Sequence, residues 1–265
     1  MKIIDAHCHI FPDKIAQKAT DSIGKFYDLE MECGIGSSPV LLQEGDNLGV
    51  SGFVVCSTAT KPHQVMSIND FIAQACAQNP RFTGLATMFP GFEDVYGELQ
   101  RAKTMGLHGI KLHPDFQAFL IDDPAALPIY EAAQELEMPI LFHTGDKRYP
   151  YSHPSRLAKI CRMFPRLLTV GAHFGGYSVW DQLDAYEGVE NVCFDTSSSL
   201  AFIDPEQAVS LIHRFGAERF MFGSDFPMWR EEDELTRFLA LPLTQDEQEQ
   251  ILYRTAQRVY GAKAD

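Results

Sequence analysis

The segment Asp5-Ala6-His7-Cys8-His9 sets two imidazoles two residues apart, directly after the apolar pair Ile3-Ile4. Side chains alternate faces along a strand, so His7 and His9 share a face, about 7 Å apart along the chain. Two imidazoles so placed can share one metal ion, and further ligands must then come from elsewhere. Other short apolar runs end in groups of the same chemistry: Lys111 and His113, His143, His173, and Asp225. A lone histidine at a strand end is more often structural than a ligand, and the set carries more weight than any member.

The elements that would position these groups are short β-type runs at 2–10, 52–57, 82–88, 109–113, 139–143, 168–173, 191–195 and 219–225. Helix-like stretches lie between them, at 69–77, 96–105, 128–136, 154–164, 205–215 and 245–260, with Ser152 a cap or turn residue before the fourth. The intervals His113 to His143, His143 to His173 and Asp195 to Asp225 are each 30 residues, about one βα unit. Eight strands alternating with helices predict a TIM-type (β/α)8 barrel, one α/β domain over residues 1–265. A doubly wound open sheet is the rival, but no Gly-rich phosphate loop follows the first strand. In a barrel, active-site groups gather at the C-terminal strand ends, where these residues fall. The connection from Phe11 to Val50 reads as a long loop with a Gly-rich centre, and residues 24–40 as a cover over the site.

Composition narrows the function. A net charge of -14 argues against a general nucleic-acid surface, which needs a basic stripe. No secretory signal or apolar run of membrane-spanning length is visible, so a cytoplasmic protein is expected. The six cysteines form no C-x-x-C pair and read as reduced thiols.

The segments Asp5-Ala6-His7-Cys8-His9, Gly109-Ile110-Lys111-Leu112-His113-Pro114, His143-Thr144-Gly145, Ala172-His173-Phe174-Gly175-Gly176 and Gly223-Ser224-Asp225-Phe226-Pro227 together resemble the amidohydrolase superfamily. The likeness is to its amidohydrolase-related group, which includes aminocarboxymuconate-semialdehyde-decarboxylase-like enzymes. It runs from residue 2 to about 261, with Thr255 where an asparagine is common. The resemblance implies a divalent metal, most often zinc, on His7, His9, His143 and Asp225. His173 then orients water or binds a second metal, and Asp225 and His173 carry the proton transfers. Three neutral imidazoles and one carboxylate suit zinc and leave the site net positive. Lys111 decides the metal count: carboxylated, it bridges two metals, whereas one metal per chain is the expectation for this group. His113 shares its face as a pocket or second-metal residue. Asp5 either steadies a ligand histidine or makes a strand-end hydrogen bond.

The loop after the fifth run carries Arg148, Tyr151 and His153, and Lys61 follows the second. An arginine fork suits a carboxylate, so a small anionic substrate is expected, with solvated loop charges as the competing reading. The acidic residues Glu231, Glu232, Asp233, Glu234, Asp246, Glu247 and Glu249 read as solvated helix starts. The leading expectation is metal-dependent hydrolysis of an amide, lactone or ester-like bond by a metal-activated water. The alternatives are nonoxidative decarboxylation of an aromatic or unsaturated acid, and a non-catalytic metal-binding barrel. Resemblance to the group also implies a homodimer.

Overall fold

A computed structural model describes residues 2–263. Eight strands form one sheet in chain order: β1 (Ile4–His9), β2 (Gly52–Cys56), β3 (Phe82–Thr87), β4 (Gly109–Leu112), β5 (Ile140–Phe142), β6 (Thr169–Gly171), β7 (Val192–Asp195) and β8 (Phe220–Met221). The fold is an α/β TIM-like barrel. Every expected run holds a strand, because strands covered on both sides read as near-continuous apolar runs; all five residues of β2, for example, are buried. All the observed strands but β7 stop short of the expected ends. His143, His173 and Asp225 therefore sit on the turns that leave β5, β6 and β8.

Contacts divide the chain into two compact units. In the first (residues to 56, 78–83 and from 196), β1 pairs in parallel with β2, with a register shift between Asp5 and Cys8. On its other edge β1 meets the chain around β8: Ala6 N–H donates to Phe222 O (2.8 Å) and Asp225 N–H to His7 O (2.9 Å). Asp5 fastens this seam. Its Oδ1 accepts the backbone N–H of His7 (3.1 Å) and of Ser224 (3.0 Å), and its Oδ2 accepts the Ser224 hydroxyl. Asp5 thus holds strand backbone, the second of its two expected roles. In the other unit (57–77 and 84–195), β3 to β7 pair in parallel in sequence, from Leu85↔Gly109 to Gly171↔Phe194.

Several expectations need correction. The connection expected as a long loop after β1 is largely helical, with helices Asp13–Tyr27 and Ser38–Leu48, so the supposed 24–40 cover contains parts of both. Ser152 does not cap the helix Pro154–Met163; His153 does, its Nδ1 accepting from Ser155 N–H (3.2 Å). The terminal helix Gln245–Tyr260 is interrupted by a π turn at Gln250–Arg254. All six cysteines are free thiols. No helix among the described residues is long and apolar enough to cross a membrane.

The acidic run is the largest correction. Glu231 and Glu234, in the first turn of the helix Glu231–Leu239, are fully buried. Glu234 pairs with Arg237 at 2.6 Å. Burial raises Glu234 to about 7 and Asp5 to about 6. Glu231 is raised well above the ordinary range, by burial first and by the charge of Asp5 second. A carboxyl with a higher pKa folded than unfolded binds its proton more tightly when folded. Its contribution is therefore complete below the ordinary value of 4.5 and is lost as pH rises toward 7. Metal-free protein should lose thermal stability between pH 5 and pH 8. Glu234→Gln should flatten that slope by up to about 3 kcal/mol in urea-melt stability measured across this range.

Candidate metal centre

In the first unit, His7 and His9 converge as the two-residue spacing requires, with ring centroids 5.1 Å apart. Both Nε2 atoms face one oxygen: Asp225 Oδ1 lies 3.5 Å from His7 Nε2 and 3.3 Å from His9 Nε2. With metal–nitrogen bonds of about 2.1 Å, neighbouring ligand atoms of a tetrahedral ion stand about 3.4 Å apart. Each imidazole nitrogen thus stands from the carboxylate oxygen at the spacing of two neighbouring ligands of one cation.

The opposite nitrogen of each imidazole has its own partner. His7 Nδ1 meets Ser197 Oγ at 3.0 Å, and His9 Nδ1 meets Cys56 Sγ at 3.7 Å. A proton on Nδ1 leaves the Nε2 lone pair for a cation, the tautomer that outer partners enforce on ligand histidines. His7, His9 and Cys56 also form a group with ligand atoms within 4.8 Å of one another. Asp225 is equally constrained. Its Oδ2 accepts the Ser198 hydroxyl at 2.5 Å, and Ser198 Oγ in turn accepts Trp229 Nε1–H at 2.8 Å. Gly223 makes the approach of β1 to this turn feasible, since a Cβ there would stand 3.0 Å from His7 Cβ.

The other unit holds the remaining candidates. His143 Nδ1 lies 2.9 Å from His173 Nε2, so the two rings share one proton. His143 Nε2 faces Asp115 Oδ2 at 3.4 Å. His173 is held from behind, its N–H donating to Asp195 Oδ1 (2.9 Å) and its carbonyl accepting Trp180 Nε1–H (3.0 Å). His173 and Asp225 both sit at a φ of 62°, a left-handed conformation that non-glycine residues keep only where surrounding contacts impose it. His113 stacks on His143, centroids 4.1 Å apart, and its Nδ1 accepts Phe116 N–H at 3.3 Å. That bond places the neutral ring's proton on Nε2, which suits His113 as a pocket donor better than as a metal ligand. Lys111 is fully buried at the end of β4.

The residues expected to bind substrate fare unevenly. Arg148 is a clamp: its Nε and Nη2 bond the buried Asp146 carboxylate, with Nη2 to Oδ2 at 2.6 Å. Its charge is matched within the loop. His153 caps a helix, and Lys61 is exposed at the start of a short 3-10 turn. Tyr151 stacks on Tyr149, centroids 6.2 Å apart. Thr144 spends its hydroxyl on Ala172 O at 2.7 Å, so the His143-Thr144-Gly145 turn is built for folding at its middle residue.

Three groups here escape a reading of strand ends. Ser197 and Ser198 belong to the buried run Thr196-Ser197-Ser198-Ser199 after β7; four adjacent hydroxyls at the C-terminal end of a barrel strand are the signal that could have found them. Asp115 sits one turn past β4, raised to about 7 chiefly by burial. Its Oδ2 contacts Ser152 Oγ at 2.6 Å.

Comparison with known proteins gives a family and a fold. The family profile described as amidohydrolase matches residues 4–262. A 2-amino-3-carboxymuconate-6-semialdehyde decarboxylase from Dictyostelium discoideum is 34% identical over 90 residues, a stretch that is 31% of this chain and 25% of the relative. Among solved structures, the uncharacterized TIM-barrel protein Bb4693 from Bordetella bronchiseptica superposes with a TM-score of 0.81 at 19% identity, covering 99% of each chain. The 5-carboxyvanillate decarboxylase from Novosphingobium aromaticivorans, complexed with manganese and 4-hydroxy-3-methoxy-5-nitrobenzoic acid, gives 0.76 at 16% identity, covering 98% of this chain and 96% of that one. At such identities the likeness is one of fold. The metal in that relative is manganese, whereas zinc was the expectation here.

Chelator-treated protein should gain thermal stability on addition of Mn2+ or Zn2+, by about 2.7 kcal/mol at a hundredfold excess over Kd. His9→Ala should abolish most of the gain in a thermal-shift titration.

Proposed function

The chain belongs to the amidohydrolase family, and from that premise we propose that it is a metal-dependent nonoxidative decarboxylase of a small aromatic or unsaturated carboxylic acid. The proposed ligands are His7, His9 and Asp225, with His143 the further ligand implied by the family resemblance, for one divalent ion per chain. The manganese of the carboxyvanillate relative makes Mn2+ the first ion to test beside zinc. When bound, the ion supplies positive charge that holds the substrate's oxygens and favours charge building on them.

One observation carries the choice of reaction. Both oxygens of Asp225 are engaged, Oδ1 toward two imidazoles and Oδ2 by the Ser198 hydroxyl. Such a carboxylate serves better as an anchor than as the base that a hydrolytic reaction asks of it. Proton handling is therefore assigned to His173, whose Nε2 already shares a proton with His143. His173, in its imidazolium form with both ring nitrogens protonated, gives one proton to the carbon bearing the carboxylate and becomes neutral. The bond to that carboxylate then breaks, its electron pair remains with the substrate carbon, and carbon dioxide leaves. No oxidant or water is consumed.

The test is a panel of hydroxybenzoic and unsaturated acids, with carboxylated amides and lactones alongside, on Mn2+- and Zn2+-loaded protein. Carbon dioxide release with one solvent deuteron on the product carbon, and no 18O from labelled water in the organic product, is the expected result. His173→Ala should lower the rate about a hundred- to ten-thousandfold. Incorporation of 18O into an acyl product without carbon dioxide would replace this reading with hydrolysis.

A further inference from the structure

Two groups behind Asp225 neither bind the metal nor move a proton in the chemistry above, and both sit in the first unit. Ser198 Oγ donates to Asp225 Oδ2 at 2.5 Å, and Trp229 Nε1 donates to Ser198 Oγ at 2.8 Å. Indole N–H is only a donor. It therefore occupies a lone pair of Ser198 and leaves the hydroxyl proton to point at the carboxylate. The relay is buried throughout, with Ser198 2% and Trp229 9% exposed. The ring of Phe202 packs edge-on against Trp229, centroids 5.5 Å apart. Ser198, at φ 50°, and Asp225, at φ 62°, both hold left-handed backbone. A carboxylate on such a turn can rotate about its last torsion, which is broad and roughly two-fold. Without the relay, either oxygen could face His7 and His9, or neither squarely.

We propose that Ser198 and Trp229 are positioning residues that lock the Asp225 carboxylate with Oδ1 toward the His7 and His9 Nε2 atoms, and thereby set the divalent-metal affinity of the chain. The inference rests on the metal reading above. Outer partners of ligand carboxylates typically govern metal affinity by about 10- to 100-fold. The relay also makes Trp229 a reporter. The chain has two tryptophans, and the other, Trp180, donates to His173 O in the second unit. In a W180F background, emission comes from Trp229 alone.

The experiment is a Mn2+ titration of chelator-treated full-length protein, read by calorimetry and by Trp229 emission in the W180F background. Ser198→Ala and Trp229→Phe are compared with Ser198→Thr, which keeps the hydroxyl, and with His9→Ala. Wild type should bind one Mn2+ with quenching of Trp229. Ser198→Ala should raise Kd about 10- to 100-fold, Trp229→Phe should raise it by a smaller factor, and Ser198→Thr should restore most of the affinity. In Asp225→Asn, removing Ser198 as well should cost little more, since paired residues are non-additive. Should Ser198→Ala fail to fold, Trp229→Phe carries the test. Unchanged Kd in folded Ser198→Ala and Trp229→Phe, beside a wild type that binds and a His9→Ala that does not, would overturn the relay and leave the metal reading intact. A wild type that binds no better than His9→Ala would instead overturn the metal reading, and the relay with it.

Discussion

One carboxylate oxygen facing two imidazole nitrogens is the contact on which the first unit's architecture turns. Asp225 Oδ1 at 3.3 and 3.5 Å from His9 and His7 brings together the first strand and the turn that follows the last. Nothing local favours it. Asp225 adopts left-handed backbone, a side chain at 223 would crowd His7 Cβ at 3.0 Å, and Asp5 binds the backbone of β1 and of Ser224. Strained or costly features that cluster around one polar contact are typical of a site kept for function.

A buried acidic set surrounds that seam. Asp5, Glu231 and Glu234 lie in the same unit, and each is raised by loss of solvent. Buried carboxyls that sit close without enough cations stay protonated near neutrality or wait for positive charge. The interior of this unit thus carries a stability cost that core packing must offset, as functional interiors commonly do.

The strands were legible because fully covered parallel strands leave contiguous apolar runs, and the ends of those runs pointed to His7, His9, His143, His173 and Asp225. The helix Asp13–Tyr27 does carry apolar residues at helical spacing, Ile15, Ala19, Ile23 and Phe26, but the Gly-rich segment that follows it gave the whole connection the look of a loop. Ser38–Leu48 is harder to see, burying only Leu41 and Gly45. Ser198 escaped because a hydroxyl's partner cannot be read from its neighbours in sequence. Glu231 and Glu234 misled because acid at a helix start is ordinarily solvated, and only tertiary packing puts this helix start against Asp5. Arg148 reads as a free fork in sequence, whereas Asp146, two residues before it, takes up its Nε and Nη2.

Anomalous diffraction from crystals grown with Mn2+ would locate the ion. A peak about 2.0–2.3 Å from His7 Nε2, His9 Nε2 and Asp225 Oδ1 is expected, lost in crystals of Asp225→Asn. A peak seated instead on His113, Asp115 and His143, whose ligand atoms lie within 4.8 Å of one another in the second unit, or no peak at all, would contradict a metal held by Asp225.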